Sequence, residues 1–237
     1  MEYADFEKIF LENSDKMQIE VKNIEKFYKY MQLLLEWNEK INLTTIVEPE
    51  QIIVKHFLDS LTIKKYIEDE KNIIDVGTGA GFPGVPLAIE TENNVTLLDS
   101  LNKRINFLND VKEKIGLENV VTVHSRAEDA AKDKKYRECF DYAVSRAVAP
   151  MNVLLEYLLP FVKVGGKVIC MKGPNVKEEM DNSEKVAKIL GGKIEKVEEL
   201  EIPEIDMKRT VVIVKKIEKT SSKYPRKAGT PSKEPLA

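Results

Sequence analysis

From Ile73 to Gly84 an apolar run ends in an acid and then meets glycines at alternate positions: Ile73-Ile74-Asp75-Val76-Gly77-Thr78-Gly79-Ala80-Gly81-Phe82-Pro83-Gly84. This reads as a buried parallel strand, a turn with exposed backbone, and the start of a helix. A turn that presses its backbone against a ligand has no room for side chains, and glycines supply that room at an entropic cost. A bare strand-to-helix connection needs no such run. The chain is therefore organised around a strand–turn–helix unit that holds a ligand.

The residues on either side fit that unit. Before it, residues 1–70 read as helical. Ile24, Phe27, Tyr28, Met31, Leu34 and Leu35 recur at helix spacing, Trp37 extends the apolar face, and a second helix starts at Glu48-Pro49 and runs past His56, Leu58 and Leu61. After it, strands alternate with helices. Strands are expected at Val95–Asp99, Val120–Val123, Phe140–Val144 and Lys167–Met171, with helices at Asn102–Ile115, Met151–Phe161 and Asn175–Leu190. Two further strands, Lys193–Ile202 and Thr210–Ile217, leave no room for a helix between them and are expected as a hairpin on the sheet edge. The expectation is an α/β chain with a mostly parallel seven-stranded sheet, a final antiparallel strand and an N-terminal helical cap. Its expected divisions are a cap at 1–70, a main domain at 71–218 and a tail at 219–237.

Composition narrows the class. The 237 residues are 43% hydrophobic and 32% charged, with a formal net charge of −3, so no global bias points to nucleic acid. Residues 219–237 carry five basic residues and one acid, with little to bury, and are expected to form a flexible basic tail. Cys139 and Cys170 cannot make a disulfide framework, and with His56 and His124 as the histidines no metal centre or catalytic triad is expected. No signal peptide or membrane span is legible, and the expectation is a cytoplasmic monomer.

The ligand is a nucleoside-bearing cofactor, with two candidates. Gly79-Ala80-Gly81-Phe82-Pro83-Gly84 satisfies the spelling of a dinucleotide site, but it starts two residues late. Counted from the strand end, Gly77, Gly79 and Gly81 are the better register, with Asp75 just ahead. This acid-x-G-x-G-x-G form resembles the first motif of class I S-adenosylmethionine-dependent methyltransferases. That cofactor has no pyrophosphate to place on a helix N-terminus. Asp75 would serve its ammonium, directly or through the turn, and Asp99 would accept ribose hydroxyls. The glycine motif alone leaves a nicotinamide-dependent oxidoreductase open; the closing hairpin favours the methyltransferase.

Read whole, the chain resembles the bacterial 16S rRNA guanine-N7 methyltransferases, the glucose-inhibited division protein B family. The resemblance rests on Trp37-Asn38, Asn42-Leu43-Thr44, His56-Phe57-Leu58-Asp59-Ser60, the glycine turn, Asp99 to Arg104, Ser125-Arg126-Ala127-Glu128, Ser145-Arg146-Ala147 and Tyr224-Pro225-Arg226-Lys227. It departs from some relatives at Ala80-Gly81-Phe82, which keeps the glycine register. The resemblance implies a class I, Rossmann-like methyltransferase fold, S-adenosylmethionine as cofactor, and 16S rRNA or the small ribosomal subunit as partner. It implies Gly77 and Phe82 at the methionine end, Asp99, Ser100, Leu101 and Asn102 on the ribose, and Ala127 and Glu128 flanking the adenine. Arg146 is implied near the methyl group and target base, as the one catalytic candidate.

Guanine N7 has a free lone pair, so in-line attack needs orientation rather than a general base. The chain lacks the Asn/Asp-Pro-Pro-aromatic motif of exocyclic-amine methylases, and neither cysteine follows a proline. Lys103, Arg104, Arg126, Lys172 and Arg209 lie near predicted strand ends and are expected to contact RNA. A noncatalytic rRNA-binding assembly protein on the same fold is the reading from a different class. His56 is expected to be structural, Asp59 and Ser60 to satisfy their neighbours, and Trp37 and Tyr28 to be core.

Overall fold

The computed structural model describes residues 1–146, 149–174, 176–180, 182–202 and 207–237. The cap comprises α1 (Tyr3–Lys16), α2 (Ile24–Ile41) and a continuous helical stretch over residues 49–61. That stretch is α-helical at α3 (Pro49–Ile52), widens to a π-helix at Ile53–Leu58 and closes as α4 (Asp59–Leu61). Pro49 opens it where a missing N–H costs nothing. Asn42 ends α2 in the left-handed region, its N–H donating to Asn38 O at 3.2 Å.

The chain then alternates through β1 (Asn72–Val76), α5 (Gly84–Glu90), β2 (Asn94–Asp99), α6 (Asn102–Ile115), β3 (Val120–His124), α7 (Ala127–Ala130), β4 (Phe140–Arg146), α8 (Met151–Leu158) and β5 (Val162–Lys172). Next come α9 (Lys177–Met180), α10 (Ser183–Ile189), β6 (Gly192–Ile202), β7 (Met207–Lys216) and α11 (Thr230–Lys233). The sheet order is β3-β2-β1-β4-β5-β7-β6, and β7 is antiparallel to both its neighbours. The expected seven strands and closing hairpin are therefore present. The helix expected at Asn175–Leu190 is two short pieces; its first residue, and Ala147 of the Ser145-Arg146-Ala147 motif, lie outside the described residues.

Period-two side-chain alternation sends neighbouring residues to opposite faces. Ile73, Leu97, Tyr142, Val144 and Ile169 pack with α5, α6 and the cap, whereas Ile74, Leu98, Ala143, Val168 and Cys170 pack with α8 and α10. The cap sits on one face only. Its Trp37 donates Nε1–H to Asp110 Oδ2 at 2.8 Å and meets the Phe107 ring edge-on; expected in the core, it is partly buried and packs against it. The chain reverses direction across the sheet between β1 and β4, so the crevice beyond their C-terminal ends is where such sheets take a ligand.

The tail departs from expectation. The segment expected to be flexible is docked along α8, α7 and the loop at Arg137 and Glu138. Arg137 donates to the carbonyls of Thr220, Ser221 and Tyr224, and Arg226 grips Glu156 with both Nε and Nη2. The Arg226–Glu156 pair, Arg137's bonds to three carbonyls, and Tyr224 and Leu236 packed on the core beside buried Pro225 and Pro231 hold it in place.

Candidate functional site

The β1 strand delivers its chain end into a turn in which Gly77, Gly79 and Gly81 have φ of 71°, 61° and 99°. Gly77 N and Thr78 N both donate to Leu98 O of β2, at 2.9 and 3.1 Å, which ties the turn to the neighbouring strand. The glycines serve different needs. A Cβ on Gly79 would meet nothing nearer than Gly77 O at 4.0 Å, so its bareness faces open space. A Cβ on Gly81 would lie 2.6 Å from Tyr30 Oη and 2.6 Å from Val85 Cγ2, so that glycine is where α2 of the cap presses on the turn. The Tyr30 hydroxyl, fully buried, donates to Ala80 O.

Asp75 lies behind this turn, with no exposed surface. Its Oδ2 accepts from Thr78 Oγ1 at 2.7 Å and from Gly84 N at 2.8 Å, so it staples the turn's two ends together. Burial pushes its carboxyl up to about 7, against those two hydrogen bonds. An acid therefore already occupies the first N–H of α5. That disposition opposes a pyrophosphate at the helix N-terminus and speaks against the dinucleotide reading.

In front of the turn lies a cavity of ≈ 740 Å³, floored by Val76 to Ala80 and flanked by Leu98 to Ser100 and by Ser125 to Glu128. Asp99, 2% exposed, ends β2 at its edge. Its Oδ2 accepts from Gly79 N at 2.9 Å and Arg104 Nη1 at 3.3 Å, and its Oδ1 from Leu101 N at 2.9 Å. A carboxylate has about four acceptor positions, so capacity remains for a hydroxyl.

The remaining wall comes from the cap. The His56 ring, on the π-helical turn, stacks on Phe82 with centroids 4.5 Å apart and planes at 19°. Its Nε2 faces Thr44 Oγ1 at 2.8 Å and its Nδ1 faces Arg146 Nη2 at 3.1 Å. Burial, reinforced by the Arg146 cation, pushes His56 down to about 3, so the ring is neutral. Arg146 donates only, so Nδ1 is the acceptor and the ring proton sits on Nε2, donating to Thr44. Arg146 also donates Nη1 to Lys55 O at 3.0 Å and Asp59 Oδ2 at 2.9 Å, and its guanidinium lies 4.8 Å from the Phe82 centroid.

Most expected site residues meet in this cavity: Gly77, Gly79, Phe82, Asp99, Ser100, Ala127, Glu128, Arg146, Arg104 and Arg126 all line it. Others stand elsewhere. Asp75 and Gly81 support the turn from behind. Leu101 and Asn102 are exposed at the start of α6, and only the Leu101 N–H reaches inward, to Asp99. Lys103 is exposed, with Nζ 3.5 Å from Ile41 O. Two expected RNA contacts are corrected. Lys172 is 7% exposed and bound to Ala149 O at 2.7 Å and Glu179 at 2.8 Å. Arg209 is bound bidentately to Asp59, both contacts at 2.8 Å. A strand-end position says where a cation starts, and acidic partners, a fully buried Asp59 and a part-exposed Glu179, hold these two. Sequence reasoning missed Thr44, Tyr157, Gly229, Ser232 and Lys233, all on the cavity wall. The pairing of Thr44 with His56 had a signal, since both fall in segments carrying the family resemblance.

The cavity suits S-adenosylmethionine: bare backbone at the turn, a carboxylate with spare acceptor capacity at the β2 tip, an aromatic Phe82, and volume within the usual range for such sites. Comparison with known proteins agrees. The GidB family, described as rRNA small subunit methyltransferase G, matches residues 23–219. A ribosomal RNA small subunit methyltransferase G of Clostridium beijerinckii is 56% identical over 225 residues, covering 93% of each chain. One of Alkaliphilus metalliredigens is 51% identical over 221 residues, covering 92% of each. Among solved structures, an Aquifex aeolicus SAM-dependent methyltransferase has a TM-score of 0.54 at 19% identity, over 73% of this chain and 96% of that one. M. jannaschii TYW2 in complex with AdoMet gives 0.53 at 16%, over 67% and 77%. These two share the fold.

Proposed function

The chain belongs to the GidB family, rRNA small subunit methyltransferase G, and from that premise we propose how its cavity works: it sets the methyl of S-adenosylmethionine against N7 of a guanine in 16S rRNA. The observation that carries the reading is the pairing of the glycine turn with Asp99 in one cavity, Gly79 N donating to Asp99 Oδ2 at 2.9 Å. The turn takes the methionine part on bare backbone. Asp99 takes the ribose, and Ala127 and Glu128 flank the adenine.

Methyl transfer to N7 moves positive charge from the sulfonium to the guanine ring and creates none. The guanine loses no proton, so no side chain must act as a base. The chain's residues orient and enclose. His56 is neutral and locked between Thr44 and Arg146, so it presents a flat wall with Phe82. Both hydrogens of Arg146 Nη1 are committed to Lys55 and Asp59, whereas among the described residues Nη2 is matched with His56 alone. Guanine O6 sits beside N7 and accepts from arginine. Arg146 is thus placed to fix the base by O6 and leave N7 free to attack. Arg126 on the cavity wall and the exposed Lys103 beyond it attract phosphate.

Calorimetry tests the cofactor directly. S-Adenosylmethionine is expected to bind and NAD to give no heat; the reverse would sink the reading.

A further inference from the structure

We infer that the C-terminal segment over residues 224–233 is a built-in strap that forms the adenosine wall of the cofactor cavity. The inference rests on the cofactor reading above and extends it to residues beyond 219, where the family match ends.

Three observations carry it. First, Gly229, Ser232 and Lys233 line the same cavity as the glycine turn, together with Tyr157. Second, Gly229 N donates to Glu128 Oε1 at 2.7 Å, so the strap fixes the side chain proposed to flank the adenine. Third, the dock is dedicated. Glu156 is fully buried, and its carboxylate receives Arg226 Nε at 3.0 Å, Nη2 at 2.7 Å and Arg226 N at 2.8 Å. A buried carboxylate without a partner is strongly destabilising, so α8 keeps this acid only where an arginine meets it. Glu156 directly precedes Tyr157, so the latch and the wall occupy adjacent positions of one helix. The left-handed turn at Gly229, φ 83°, then aims the chain back over the cavity.

The strap's hydrogen bonds to this side of the cavity are made to Glu128 and to Glu156, beside Tyr157, and among the described residues none joins it to Phe82 or Gly77. Its loss should therefore weaken any ligand bearing adenosine by a common factor, whatever is attached to the ribose 5′ carbon. Ending the chain at Lys227 keeps the Arg226 latch and removes one lysine and one glutamate, which leaves the net charge unchanged. A loss of binding is then not an effect of charge.

The experiment measures affinity for S-adenosylmethionine and for 5′-methylthioadenosine with the full chain, the chain ending at Lys227, and Gly229→Pro. The point variant deletes the N–H given to Glu128 and cannot adopt the positive φ. Both variants should bind both ligands about tenfold more weakly, with the KM for rRNA unchanged. Equal affinity of the shortened and full chains would overturn the strap while leaving the cofactor reading intact. If the full chain bound neither ligand, the cofactor reading would fail and this inference with it. Should the shortened chain not fold, Gly229→Pro decides alone: unchanged affinity there overturns the strap.

Discussion

Arg146 and Asp59 are joined at the cavity wall, Nη1 to Oδ2 at 2.9 Å, with the carboxylate fully buried and the guanidinium side chain 11% exposed. Arg209 grips the same carboxylate from β7, so one acid from the cap holds two arginines from the sheet. Asp59→Asn leaves both cations short of a partner, and breaking a buried pair of this kind typically costs about 3–5 kcal/mol. Urea unfolding should show that loss, with a fall in kcat. Arg209→Ala keeps the Arg146–Asp59 contact, so stability should fall while kcat survives. Unaltered stability of Asp59→Asn would contradict the arrangement.

The turn glycines should separate binding from folding. Gly79→Ala places a methyl into open cavity, with left-handed strain of ~1 kcal/mol, so the protein should fold and lose cofactor affinity. Gly81→Ala drives a methyl against Tyr30 and Val85 in the core, and overpacking of that kind adds about 1–3 kcal/mol to the strain. Thermal melts and cofactor titrations on the two variants distinguish these roles; a Gly81→Ala protein as stable as Gly79→Ala would refute the assignment.

His56 predicts a pH response. Its folded value of about 3 lies below its ordinary 6.5, so as pH falls the unfolded chain takes the proton first. Its contribution is intact above 6.5 and drains away between 6.5 and 3, at up to ~1.4 kcal/mol per pH unit. Asp75 runs the other way: with its folded value raised from 3.8 to about 7, its contribution is present below 3.8 and is lost as pH rises towards 7. In His56→Asn the histidine slope should vanish, so stability measured in urea from pH 6.5 downward should fall less steeply than in the parent. Parallel curves would contradict a neutral, buried His56.

The cations expected to meet RNA should divide by salt dependence. Arg126 and Lys103 are exposed, and replacing either with alanine should weaken rRNA binding and reduce the salt slope by about 1. Lys172→Met and Arg209→Ala should leave that slope unchanged, because their charges are committed to Glu179 and Asp59. A reduced slope for Arg209→Ala would restore it as an RNA contact.

The sheet was legible because its signals are local. The apolar run ending at Asp75, the glycine register and the strand alternation each fall within a dozen residues, and β7 could be placed because no helix fits before it. The tail was not legible: what holds it includes Arg226 on Glu156, a pair 70 residues apart, and Tyr224 and Leu236 on a core built from distant strands, and composition registers only that such a segment is basic and poor in apolar residues. Arg209 was unreadable for the same reason, since its partner Asp59 lies 150 residues away; Lys172 meets Glu179 only seven residues on, but a spacing of seven does not by itself say that the two side chains turn towards each other. The cap's contribution to the site was half visible. His56 read as structural, and it is, but as the ring that stacks on Phe82 and holds Arg146.

The most direct test is methyl transfer from labelled S-adenosylmethionine to small-subunit rRNA taken from cells that lack this protein, followed by mass analysis of the nucleosides. A single labelled product, 7-methylguanosine, is expected. Label in any other nucleoside, or none from a protein shown to bind the cofactor, would contradict it.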